Sequence, residues 1–550
     1  MKLKTSLFVS LIVIWQCAYA QQLDSLQQAE INKLLAPYIA DSSPGVALGI
    51  VRNGEMVHEG YTGYASLEHR ISIGKKTRFN IASNAKQFTA LCILKLRQEN
   101  KLKLDDDLRL YLPNLYPNAT DTITIAHLIN HSSGIRDVYD LWALQGKNWY
   151  ELFLDNGDAI ALIERQRDLN FTPGTQYMYS NSNYILLTAI IEQVTGGRFS
   201  DFATALFEQM DMTNTEFLTN YMAIVPHKAR PYGNWSGWKE YLSITEIHGD
   251  GALFTTLRDQ LQWEKILQGE TSGLLSDHIL MESQKPVKGS NIAEYGFGLM
   301  FGSHRGLAYT YHDGSTGAYN ATFLRFPTER LAIVVISNNG NVPTHYLAKS
   351  VADILLEVKT NEDVYPSGPD KLGRFQENSK LLGAYMNEEG TIIKIIEKED
   401  GLYRDIYQRK PARLIHEKGN LYYYQNHKDL KMAFTEGPLG RPQFTIYLSS
   451  QPPNTYEKME VVSVSENEIQ SINGTFYNDE TDTRITIAHD KDRSYTIEKN
   501  GRERKGELLY KDFLRMNSYQ IKIHRDRNDE VDGLLVTNGR IKNVWFAKEK

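Results

Sequence analysis

The stretch Thr77-Arg-Phe-Asn-Ile-Ala-Ser-Asn-Ala-Lys-Gln-Phe-Thr-Ala-Leu-Cys-Ile-Leu-Lys-Leu-Arg-Gln-Glu99 decides how the rest of the chain is read. Thr77 to Ile81 is strand-like. From Ser83 to Glu99 the apolar residues Phe88, Leu91, Cys92 and Leu96 recur at the spacing of one helical face. Ser83 and Lys86 therefore sit at the start of a helix, three residues apart and on the same side of it. A serine becomes a nucleophile only when one group takes its proton and another stabilises the oxyanion that follows. A lysine held in a semi-buried, positively biased site can be that acceptor, and the first turn of a helix offers free N–H groups. Ser72/Lys75 and Ser236/Lys239 have the same spacing, but the first lies in an alternating strand or turn and the second in a Gly/Trp-rich loop. A serine is also a favoured helix cap, so the motif gains weight only from what accompanies it.

Two further motifs do. Tyr179-Ser180-Asn181 follows Pro173-Gly174-Thr175 and precedes the apolar helix Tyr184 to Val194, which Gly196-Gly197 ends. A phenol there can shuttle protons, and an Asn amide can hold a substrate carbonyl or amide. His312-Asp313-Gly314, followed by Ser315 and Gly317, leads into the strand-like Thr322-Phe-Leu-Arg. A His on a strand edge can touch substrate while the neighbouring Gly lets backbone come close.

Around these motifs the chain has an ordinary globular composition. It has 550 residues, 41% hydrophobic and 23% charged, with net charge −6, which implies several domains. With no long basic run, nucleic-acid binding and polybasic membrane docking are disfavoured. Lys2, Lys4, the apolar run Leu7 to Trp15 and Ala18-Tyr19-Ala20 make an export leader cleaved after Ala20, which places the protein in the periplasm or outside the cell, with no stable membrane span afterwards. Cleavage removes Cys17 and leaves Cys92 as a buried thiol, with no intramolecular disulfide and no cysteine at metal-ligand spacing to histidines.

Gly45-Val-Ala-Leu-Gly-Ile-Val51 is a buried strand with a hairpin partner at Glu55 to Tyr61, and Ala332 to Ser337 is another strand. After the linker-like Tyr365-Pro-Ser-Gly-Pro-Asp370, helical periodicity nearly vanishes. Gly383-Ala-Tyr-Met-Asn-Glu-Glu389 resembles Gly474-Thr-Phe-Tyr-Asn-Asp-Glu480 at an offset of 91 residues, and each leads into alternating strands. The tail therefore reads as two small antiparallel β-barrels. The expected division is a leader at 1–20, a catalytic-type domain at 21–360, and barrels at 361–465 and 466–550.

Ser83-x-x-Lys86, Tyr179-x-Asn181 and His312-x-Gly314, in this order, resemble the serine β-lactamase, penicillin-binding-protein and D-aminopeptidase superfamily. The flanks Ile125-Ala-His-Leu-Ile-Asn-His-Ser-Ser-Gly-Ile135 and Gly251-Ala-Leu-Phe-Thr-Thr256, with Asp259 and Trp263, are similar to segments of that family. The resemblance implies an α/β (α+β) fold: an antiparallel sheet flanked by helices, with a helical part inserted at roughly 85 to 250, followed by lipocalin-like barrels. It implies that Ser83 forms an acyl-enzyme, that Lys86 and Tyr179 share proton transfer in a division left open, and that Asn181 binds the substrate amide. His312 and Gly314 would line the substrate site, and the N–H groups of Ser83 and Ser315 would form the oxyanion hole. The resemblance implies no metal or organic cofactor. The third motif carries His312 where typical β-lactamases and DD-peptidases carry Lys, and a neutral imidazole beside Asp313 is a poor anion clamp. That version, with the barrel tail, is similar to D-aminopeptidases and related esterases, in which a barrel loop can enter the active site.

The expected activity is ester or amide hydrolysis of small D-amino-acid amides, peptides or esters. The alternatives are a DD-carboxypeptidase or β-lactamase acting on carboxylate-bearing substrates, or a non-catalytic protein that binds cell-wall fragments.

Overall fold

The computed structural model describes residues 22–38, 42–269, 276–292, 294–356, 378–387, 391–405, 410–425, 427–437, 440–448, 451–459 and 464–550. The leader, Cys17 and the 365–370 linker with the 360/361 boundary lie outside the described residues.

The apolar run at 46–51 cannot face water on either side, and the structure places it inside a six-stranded antiparallel sheet. The strand order is Met300–His304, Leu307–Thr316, Tyr319–Phe326, Leu331–Ser337, Val46–Arg52, Glu55–Thr62. Val46–Arg52 turns at Asn53-Gly54 into its expected hairpin partner, and on its other edge it pairs with Leu331–Ser337, with Val46 opposite Ser337 and Ile50 opposite Ile333. Alternate side chains feed two cores. Val46, Leu48, Ile50, Ile333 and Val335 pack with Leu347 and Val351 of the helix Thr344–Leu356. Ala47, Val51, Val334 and Ile336 join the larger core that contains Phe88, Leu91 and Leu94 of the helix Lys86–Gln98. Cys92 is buried there as a core thiol.

A buried ion pair joins the sheet to the helices on this second face. Arg325, on Tyr319–Phe326, donates through Nε to Glu264 at 2.7 Å and through Nη2 to Glu264 at 2.7 Å and to Gln87 at 2.8 Å. Gln87 follows Lys86 in sequence and also accepts from Trp263 Nε1 at 2.9 Å. The first turn of the helix at Lys86–Gln98 is thereby pinned to strand and neighbouring helix at once.

The tail forms two closed barrels of eight antiparallel strands. The first runs from Gly383–Asn387 to Gln451–Lys458 and the second from Gly474–Asn478 to Ile541–Lys548, and in each the first strand pairs with the last. Gly383 and Gly474, the landmarks of the sequence repeat, each open the first strand of a barrel. The first barrel has its own core around Tyr385, Phe434 and Phe444. The core of the second, with Phe476, Ile497 and Phe546, is continuous with that of the sheet-and-helix domain. The junction holds a buried ion pair, Arg136 Nη1 to Glu480 at 3.2 Å, and a bond from Gln145 Nε2 to the Thr481 carbonyl at 2.8 Å. No helix among the described residues is long and apolar enough to cross a membrane.

Removing one partner of a buried pair leaves the other charge uncompensated. Glu264→Ala is therefore expected to cost about 3–5 kcal/mol of stability, read as a lower urea midpoint. Arg52→Ala, at the half-buried end of its strand, is expected to stay within about 1 kcal/mol of wild type on the same measurement.

Candidate active site

Ser83 does not lie in the α-helix that its spacing suggested. It sits in a 3-10 turn, Ala82–Ala85, and the α-helix begins at Lys86. In a 3-10 turn residues three apart eclipse one another, which brings Lys86 Nζ to 3.2 Å from Ser83 Oγ. Ala82 makes the bend from the strand Arg78–Asn80 by taking a left-handed φ of 49°, and its N–H is held by Asn80 Oδ1 at 2.9 Å. Such a conformation costs an L-residue roughly 1–2 kcal/mol, strain of the kind that collects at functional sites.

Lys86 is fully buried, so its ammonium must find acceptors inside the protein. It has three: Ser83 Oγ, Asn181 Oδ1 at 2.9 Å and the Asp250 carbonyl at 2.6 Å. The rings of Tyr179 and Tyr184 lie 5.0 and 5.6 Å from Nζ. Burial is the main cause that brings its pKa down to about 8; Arg540 pushes the same way, and Asp250 and Asp137 pull against it. Tyr179 is hydrogen-bonded to Ser83, yet burial holds its phenol well above its ordinary pKa. The ring is fixed by His131, 4.3 Å away between centroids.

Asn181 is not in a loop before the helix but is the first residue of the helix Asn181–Thr195, with Ser180 as its cap residue. Its Nδ2 gives one hydrogen to Asp137 Oδ2 at 3.0 Å, and its Oδ1 accepts from Lys86. A second N–H remains for a ligand.

His312 is on the strand Leu307–Thr316 and is buried. Its Nδ1 donates to the Asp313 carbonyl at 2.7 Å, which leaves Nε2 to accept from the Tyr295 hydroxyl at 2.9 Å. Burial first, and then the charge of Lys86, takes its pKa down to about 4, so the ring is neutral. The Asp313 carboxylate bonds Thr322 and His345 instead, at 2.7 and 3.0 Å. Gly314 is needed by the protein's own backbone: a Cβ there would lie 2.1 Å from the Ile81 carbonyl, just before the Ser83 turn.

Ser83, Tyr179, Asn181 and Ser315 line one cleft of about 340 Å³; His312 and Gly314 stand behind its wall. Trp149, Tyr221, Tyr241, Leu242 and Phe254 make an apolar side. Among the described residues no group of three His, Cys, Asp or Glu side chains is arranged to hold a metal ion.

Several residues here escape sequence reading. Asp137, fully buried, accepts from the Asn181 N–H at 2.7 Å. Asp250 presents its carbonyl to Lys86 and its carboxylate to the Tyr139 hydroxyl at 2.9 Å. Arg540 reaches the cleft from the two-residue turn between the last strands of the second barrel, Val531–Asn538 and Ile541–Lys548. Asp137 and Asp250 lie beside the quoted flanking segments, which was the available signal. Arg540 had none.

The family model described as Beta-lactamase matches residues 31–356. A D-aminopeptidase of Gluconobacter oxydans (strain 621H) is 28% identical over 362 residues, covering 65% of this chain and 66% of that protein. The match thus spans just under two thirds of the relative's length. The octameric penicillin-binding protein homologue from Pyrococcus abyssi superposes with a TM-score of 0.55 at 22% identity, covering 78% of this chain and 99% of that one. The D-amino acid amidase from Ochrobactrum anthropi SV3 gives 0.51 at 23% identity, covering 61% and 98%. At these identities the two structures establish a shared fold.

A side chain at 314 must push the Ser83 turn away. Gly314→Ala is expected to lower the free energy of unfolding by about 1–3 kcal/mol in urea titration. Ser315→Ala, one residue along the same strand, is expected to leave it nearly unchanged.

Proposed function

The chain belongs to the Beta-lactamase family, and from that premise we propose that it is an exported serine hydrolase that cleaves esters or amides through an acyl-enzyme on Ser83. Small D-amino-acid amides, peptides or esters are the proposed substrates. Family membership and the D-aminopeptidase relatives support hydrolysis. The observation that carries the reading is the fully buried Lys86 amine, 3.2 Å from Ser83 Oγ, with a pKa near 8.

At neutral pH roughly a tenth of such an amine is uncharged and able to take the serine proton. Ser83 Oγ then attacks the carbonyl carbon, and the oxyanion that forms faces the N–H groups of Ser83 and Ser315. Tyr179, protonated throughout this range and bonded to Ser83, is placed to hand a proton to the departing amine or alkoxide. Water attacks the acyl-enzyme by the same route in reverse. The free N–H of Asn181 orients the acyl group, and the aromatic side of the cleft receives an apolar substituent. His312 acts from behind the wall by fixing Tyr295, which with His131 surrounds Tyr179.

Arg540 favours a second reading, hydrolysis of carboxylate-bearing substrates as by a DD-carboxypeptidase or β-lactamase, because it places a cation in the cleft wall. Asp137 and Asp140 already flank that cation, at 3.3 and 3.4 Å. The first reading is therefore preferred. Export rests on the leader pattern at 1–20, and amino-terminal sequencing of protein from a periplasmic extract should begin at Gln21.

Intact mass after exposure to an alkyl fluorophosphonate is expected to show one adduct on wild type and none on Ser83→Ala. The labelling rate should climb about tenfold per pH unit below pH 8 and level off above it, since the uncharged lysine is the active form. D-alanine p-nitroanilide should be cleaved faster than its L isomer, and an amide faster than the matching free carboxylate. The reverse order in the last pair would favour the second reading.

A further inference from the structure

Resting on the hydrolase reading proposed above, we infer that Arg540 is a positioning residue for that reaction: it pairs with Asp137, the carboxylate that orients Asn181 beside Lys86.

The geometry is a chain of contacts. Asp137 is fully buried, and both its oxygens are in use. Oδ1 caps the helix Val138–Leu144 by accepting from the N–H of Tyr139 at 3.0 Å and of Asp140 at 3.4 Å. Oδ2 accepts from both the N–H and Nδ2 of Asn181, at 2.7 and 3.0 Å. All these donors are neutral, so they do not balance the carboxylate's charge. Arg540 Nη1, 3.3 Å from Oδ2, supplies a positive partner. A buried carboxylate without one is strongly destabilised. Lys86 lies across Asn181 from this carboxylate.

The barrel turn is keyed to this spot. The Arg540 main-chain N–H donates to Asp140 Oδ2 at 2.7 Å, and its carbonyl accepts from Asn170 Nδ2 at 2.9 Å. The next N–H but one, Lys542, donates to Asn170 Oδ1 at 2.7 Å. A Cβ on Gly539 would lie 2.7 Å from the Asp140 carboxylate. The guanidinium lies 5.7 Å from the centroid of the Tyr179 ring. Main chain and side chain of Arg540 thus both close on this spot, in addition to the docking supplied by Arg136–Glu480 and the shared core.

The charged and titratable groups around Lys86 set the sign. Asp250 and Asp137 favour its ammonium, Arg540 disfavours it, and His131 and His312 are neutral through burial and the lysine's own charge. Tyr179 and Tyr184 stay protonated, since burial raises both. Removing Arg540 takes away a positive neighbour and releases Asp137's charge, and both changes hold the proton on Lys86. The pH at which Ser83 labelling is half-maximal should therefore rise.

The test is the pH profile of alkyl fluorophosphonate labelling on the full chain. Arg540→Gln is expected to raise the midpoint by about one unit and slow labelling at pH 7 about tenfold. Arg540→Lys, which restores charge without the fork, should bring the midpoint back towards wild type. Asp137→Asn should move it down, and in the Arg540→Gln background should cancel most of the rise. Arg167→Ala, which breaks an exposed barrel contact to Asp479, should match wild type. A wild-type midpoint and rate in Arg540→Gln would overturn the inference, as would an equal shift in Arg167→Ala, which would make docking alone the cause. If Arg540→Gln does not fold, Asp137→Asn decides: a midpoint that stays or rises refutes the relay. Failure of wild type to label at Ser83 would instead refute the hydrolase reading.

Discussion

A lysine amine taken wholly out of water must be surrounded by acceptors, or it will shed its proton or unfold its surroundings. Lys86 meets that demand with one hydroxyl, one side-chain amide and one main-chain carbonyl, drawn from three separate parts of the chain. Each of these acceptors has its own support. Ser83 is placed by the strained bend at Ala82, Asn181 by Asp137, and the Asp250 carbonyl by a turn in which Ala252 also takes a positive φ of 58°. Desolvation and acceptor number oppose each other here, and the outcome is an amine whose pKa is brought down to about 8. That balance is the property a general base needs.

The same constraint explains why so much of the protein is rigid around one turn. Gln87, adjacent to Lys86, is tied to Arg325 and Trp263, and Arg325 to Glu264. Gly314 lets the strand edge come within van der Waals distance of the Ser83 turn. On the far side, His131 and Tyr295 both pack against the Tyr179 ring. The two barrels differ in this respect. The first carries a separate core, while the second shares its core with the sheet-and-helix domain and sends a turn into the cleft. Function placed on loops carried by a rigid scaffold is a common arrangement. Here the scaffold of the Arg540 turn is the second barrel, whereas Ser83 is carried by a turn of the sheet-and-helix domain.

Much of the fold was legible residue by residue. The uninterrupted apolar run at 46–51 can only be a strand buried on both faces, and Asn53-Gly54 marks its hairpin. The repeated Gly383 and Gly474 segments gave the two barrels because alternation with a fixed offset has few other structural meanings. Local errors had local causes. Periodicity does not distinguish a 3-10 turn from the first turn of an α-helix, so Ser83 was set one turn too deep. The polar start of Asn181-Ser-Asn looked like loop, yet a helix tolerates such residues where their side chains meet a buried partner. His312 was read as facing substrate because a strand edge has two sides, and only packing chose the inner one.

The sequence by itself determined the element types and the tandem barrels, which follow from periodicity, and its resemblance to a known superfamily singled out Ser83, Lys86, Tyr179, Asn181 and His312. Only the tertiary structure decided which of them share a cleft, how far the pKa of Lys86 falls, and that Asp137, Asp250 and Arg540 belong with them. The reason is that burial and electrostatic coupling depend on distances through space. No local pattern in the chain records that a turn at residue 540 closes against a helix at residue 138.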